Sequence, residues 1–152
     1  METIYKPITV FVGYDNGVLY SKIGRAPENF ITYDFPENYR HPWKHVESIE
    51  ILCRNWNKHH EKVAMCTHSP YIIDHLVNLM FGYKAKDKAK AAKLLRLKDL
   101  DSFIDQKDVA VYFIGDDGGI KNILEEDGFI NWESLSEVSE YVGQVRWDIQ
   151  EE

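Results

Sequence analysis

The stretch that most constrains this chain is Val63-Ala64-Met65-Cys66-Thr67-His68-Ser69-Pro70-Tyr71. Val63–Cys66 is short, apolar and uninterrupted, as befits a strand buried on both faces of a parallel sheet. Ser69 suits the cap of a following helix, and Pro70 its first position, where a missing N–H costs nothing. The mostly apolar segment from Ile72 to Phe81 continues that helix. Strand, polar turn and helix in this order leave His68 at the carboxyl edge of a strand, where open α/β sheets hold their chemistry. A lone turn histidine is more often an ordinary surface residue, so His68 needs a second motif before it carries function.

Pro7-Ile8-Thr9-Val10-Phe11-Val12 is β-branched and apolar, a strand by composition. It runs into Gly13-Tyr14-Asp15-Asn16-Gly17, residues that tolerate tight turns. Two continuations are open. Val18–Ile23 is either a second strand across an Asp-Asn-Gly hairpin, or a short helix that makes the unit strand, glycine loop, helix. Local chemistry favours the hairpin. Asn29–Tyr33 predicts a strand ending on Asp34, and Pro36 and Pro42 bound an irregular segment after it. Pro42 opens a helix to about Lys58, with Trp43, Val46, Ile49, Cys53 and Trp56 on one apolar stripe. Lys84–Leu97 has high helix propensity. Asp108–Gly115 predicts a strand, Asp116–Gly119 a tight turn and Ile120–Leu124 its hairpin mate. A last helix, capped by Asn131 or Ser134, would bury Trp132, Leu135, Val138, Val142, Val145 and Ile149.

These elements predict an α/β fold: a mostly parallel sheet flanked by helices, closed by a C-terminal β-hairpin and helix. At 152 residues and 44% apolar content, residues 1–152 form one domain with a real core. A net charge of -7 argues against broad nucleic-acid contact, although Lys84–Lys98 is basic and Glu125–Glu152 strongly acidic. The lysine-rich stretch lacks interleaved aromatics and reads first as a solvated helix face. No segment is long and apolar enough for a membrane span; Tyr71–Phe81 is too short and carries Asp74 and His75. The start lacks the basic and apolar regions of a signal peptide, and Cys53 and Cys66 fall in expected buried elements as reduced thiols. A cytoplasmic protein is expected. His59, His60, Cys66 and His68, or His41 with His45, could be drawn as zinc ligands, but the spacing lacks paired closure and no metal is expected.

Two strand ends are informative together. One gives Phe30-Ile31-Thr32-Tyr33-Asp34-Phe35-Pro36-Glu37 and then His41-Pro42 before a helix; the other gives Thr67-His68-Ser69-Pro70. Here the chain resembles the ATP-binding-cassette type of P-loop ATPases, in the branch near recombination, SMC-like and OLD-like proteins. That family pairs a Walker B strand, apolar-Asp-Glu-Pro-Glu followed by His-Pro, with a switch histidine in Thr-His-Ser-Pro. The resemblance covers Phe30 to Leu79 well and Val109–Val145 more loosely. It implies that Pro7–Gly17 approaches a Walker A loop, with Gly13 as its first glycine and Asn16 and Gly17 at interior positions. Asp34, Glu37 and His68 complete the implied remnants of a nucleotide site.

The departures from the family are larger than the matches. A working loop carries Gly-Lys-Ser/Thr for phosphate and Mg²⁺; this chain has Gly17-Val18-Leu19-Tyr20-Ser21. The family's water-orienting glutamate is replaced by Phe35, which forfeits general-base assistance worth ~10²–10⁴ in rate. No Leu-Ser-Gly-Gly-like signature lies between Gly17 and Phe30. The resemblance thus implies a catalytically degenerate pseudoenzyme without a cofactor that acts by binding a protein, such as a full-length ATPase it regulates or inhibits, or a second copy of itself. The alternative is an ATPase that still binds Mg-ATP through Asp34, Glu37 and His68.

Overall fold

The computed structural model describes residues 3–36, 38 and 41–151, with the backbone alone for 133–140 and 142. Among the described residues five strands and five α-helices follow one another: β1 (Ile8–Gly13), α1 (Asn16–Ile23), β2 (Phe30–Asp34), α2 (Pro42–His59), β3 (Lys62–Thr67), α3 (Pro70–Lys84), α4 (Lys88–Leu94), β4 (Val109–Ile114), β5 (Ile120–Asn122) and α5 (Glu133–Glu151). The strands form one mixed sheet in the order β2-β3-β1-β4-β5. The first four are parallel, and β5 returns antiparallel to β4. The expected α/β architecture is what the chain adopts.

Period-2 alternation divides the strands between two cores. Ile8, Val10, Val12, Met65 and Val111 face α2 and α3, where they meet Ile49, Cys53, Ile73 and Leu76. Phe11, Ala64, Cys66, Tyr112 and Ile114 face the other way and meet Leu19 and Ile23 of α1. Thr9, fully buried, satisfies its hydroxyl locally: it donates to the Lys6 carbonyl and accepts from the Lys6 amide. The buried His75 of α3 lies 2.9 Å from the Glu50 carboxylate of α2, joining the two long helices.

Four expectations need correction. Val18–Ile23 is not the second strand of a hairpin. Asp15 caps a helix by accepting from the Val18 amide, and Leu19 and Ile23, four apart, bury against the sheet. Lys84–Leu97 is not one helix either: α3 ends at Lys84, and Asp87 caps a separate α4. In α2 the buried stripe is Ile49, Leu52 and Cys53, while Trp43 is 63% exposed. In α5 the expected stripe is not buried at its far end, where Ile149 is 66% exposed; the Leu135, Val138 and Val142 side chains lie outside the described residues. Among the described residues no helix is long and apolar enough to cross a membrane.

Candidate functional site

In an open parallel sheet, the crevice forms where neighbouring strands send their following helices to opposite faces. Here those neighbours are β1 and β3. The chain leaves β1 into α1 on one face and leaves β3 into α3 on the other. The crevice therefore opens between Gly13 and His68, at the carboxyl edge.

Gly13 is required there for a packing reason. A Cβ at this position would stand 2.6 Å from the Ile114 carbonyl oxygen of β4, closer than real side chains approach. Gly17 has no such need, because a Cβ there would meet only the Asp15 carboxylate, at 3.2 Å. Asp15 Oδ1 accepts from the Val18 amide at 3.0 Å and so occupies the amino end of α1.

The His68 ring bridges the crevice. Its Nδ1 lies 2.6 Å from the Gly13 carbonyl, so that nitrogen is the donor. Its Nε2 lies 2.6 Å from the Asn16 side-chain oxygen. One ring face stacks on Phe35, with centroids 4.5 Å apart and planes 21° from parallel. Phe35 is buried, sits at φ 47°, donates its amide to the Cys66 carbonyl and meets Tyr20 edge-on at 5.4 Å. A non-glycine residue in this left-handed region carries strain that only surrounding contacts sustain. The aromatic layers thus tie α1, the end of β2 and the turn after β3 together.

Of the residues singled out by sequence, Gly13, Asn16 and His68 are joined directly. Gly17 lies in the first turn of α1 beside them. Asp34 reaches the same sheet edge, since β2 runs parallel to β3 and Asp34 pairs in register with Cys66. Its side chain makes no hydrogen bond or ion pair among the described residues, and the residue is exposed. Glu37 lies outside the described residues. Sequence reasoning treated Phe35 only as a lost glutamate; its place as the platform under His68 was missed. Position alone gave no signal for that, because the contact depends on the turned backbone after β2.

Three other histidines serve the scaffold. His41 caps α2 by accepting from the Trp43 amide, His45 lies 2.9 Å from the Ser69 hydroxyl, and His60 ends α2 with left-handed backbone. Burial pushes the Cys53 thiol well above its ordinary range, which leaves it unreactive. Among the described residues no three His, Cys, Asp or Glu side chains converge to hold a metal ion. At Gly13 and His68 an apolar hollow of about 400 Å³ is open, lined also by Val12, Tyr14, Pro70, Ile73 and Trp132. No family model, curated protein or solved structure matches the chain.

Proposed function

We propose that the chain is a non-hydrolysing, ATPase-shaped module that works by binding a protein partner. One observation carries the reading: the amino end of α1, where such a core would take phosphate, is occupied by the chain's own groups. The His68 ring spans from the Gly13 carbonyl to Asn16, and Phe35 backs it. A phosphate at the amino end of α1 would need open amides and a cation. Instead the Asp15 carboxylate caps that end, and no lysine or arginine lies in the first turn. Anion would meet anion.

With that chemistry closed, the surface becomes the working part. In support, the last half of α5 carries Tyr141, Trp147 and Ile149 at 60% exposure or more. The resemblance to paired ATPases makes a full-length ATPase a fitting partner, which a copy lacking the phosphate loop would regulate or inhibit. Calorimetric titration of the purified chain with Mg-ATP tests the reading. No saturating heat is expected up to millimolar nucleotide; saturable binding in that range would overturn it and restore a residual nucleotide-binding role for Asp34 and His68.

A further inference from the structure

The chain carries two complementary surfaces that do not cover one another. The first is a groove between α3 and α4 of about 340 Å³, lined by Val77, Phe81, Ala91, Leu94, Leu95 and Phe129. Leu94 is 76% exposed and Phe129 56%. Basic residues flank its α4 side: Lys90 and Lys93 adjoin the lining Ala91 and Leu94. The Lys84 ammonium lies over the Phe81 ring, and Lys84–Lys98 holds seven basic residues against one acidic. Lys90 and Lys93 make no ion pair among the described residues.

The second surface is the end of α5. Tyr141, Val145 and Ile149, spaced four apart, form one exposed apolar stripe. It spans about 12 Å at 1.5 Å per residue, close to the ~10 Å length of α4. Acidic residues accompany it: Glu133–Glu152 holds six acidic residues against one basic. Apolar stripe matches apolar groove in length, and Asp148 and Glu151 beside the stripe match Lys90 and Lys93 beside the groove in sign.

We infer that α5 of one molecule seats in the α3–α4 groove of a second copy, and the reverse, giving a two-fold dimer held by exchanged helices. Two reciprocal seats close the assembly, whereas a single seat would leave a stripe and a groove open for further addition. Opposite charge orients the encounter and disfavours α5 against α5, where acid would meet acid. The groove lies on α3 about 16 Å from the strand-tip crevice, measured along the helix from Pro70 to Phe81. The inference therefore does not depend on what the crevice binds.

Sedimentation of the full chain tests it. The wild type is expected to sediment as a dimer, and Leu94→Glu, at a side chain already in solvent, to weaken that dimer about thirtyfold. Val145→Glu with Ile149→Glu should do the same, with circular dichroism checking that each variant keeps its helices. Charge reversal separates this pairing from others. Lys90→Glu with Lys93→Glu on one chain, and Asp148→Lys with Glu151→Lys on another, should each self-associate poorly. Mixed, they should form a one-to-one dimer, because both reciprocal seats then join opposite charges. A wild type that stays monomeric, a dimer indifferent to Leu94→Glu, or a mixture that fails to recover pairing would each overturn the inference.

Discussion

The strand-tip crevice and the carboxyl-terminal helix treat exposed chemistry in opposite ways. At the crevice, a place that open α/β sheets leave available for ligands, the chain has bonded His68 to its own backbone and set Phe35 beneath it. Along α5 it leaves large apolar side chains in water, with Tyr141 at 69% exposure and Ile149 at 66%. Polar groups at a strand tip gain from partners, and clustered apolar groups left in solvent are costly. The first are partnered within one molecule. The second would be covered by a second copy, as in the pairing we infer for α5.

The comparison breaks most easily at Phe35. Replacing it by alanine should cost about 3–5 kcal/mol in urea unfolding, the range for truncating a buried phenylalanine. Phe35→Gly should recover part of that, because glycine accepts positive φ without strain, by ~1 kcal/mol. A loss no larger for alanine than for a surface change would mean that the ring does not hold the crevice together. Next in size is His68→Ala, which removes two hydrogen bonds at a partly exposed site. A loss of about 1 kcal/mol is expected from the same measurement. Mg-ATP should remain without effect on it, since Asp15 still caps α1; nucleotide-dependent stabilisation of this variant would show that the histidine alone closes the site. The smallest effect belongs to Trp147→Ser. Trp147 is two residues from Val145 and two from Ile149, on another side of the helix from the stripe. Its stability change should stay within ~0.5 kcal/mol, with sedimentation unaltered. A dissociated variant would move the contact face around the helix.

Most of the sheet was legible in the sequence because buried parallel strands are continuous apolar runs. Ile8–Val12, Val63–Cys66 and Val109–Ile114 declare themselves without help from the rest of the chain. The unit after β1 was misread for a local reason. Asp15-Asn16-Gly17 is a strong hairpin turn, yet tertiary burial of Leu19 and Ile23 and the capping by Asp15 outweigh it. The spacing of Leu19 and Ile23 held the signal for a helix. In α5 the periodicity correctly marked a helix but not its surroundings, since an amphipathic pattern fits a neighbouring molecule as well as the chain's own core. As for the crevice, sequence could name Gly13, Asn16 and His68. It could not show that they bond to one another, because the sheet order that unites them is set by crossovers.

The bond between His68 and Gly13 spans 55 positions of chain, and Phe35 enters from a third segment. No fragment of the chain contains all three groups in register unless β1, β2 and β3 have already aligned. Closure of the strand tips is therefore a late event in assembly, and amide exchange around Phe35 should report completion of the sheet rather than growth of any one helix.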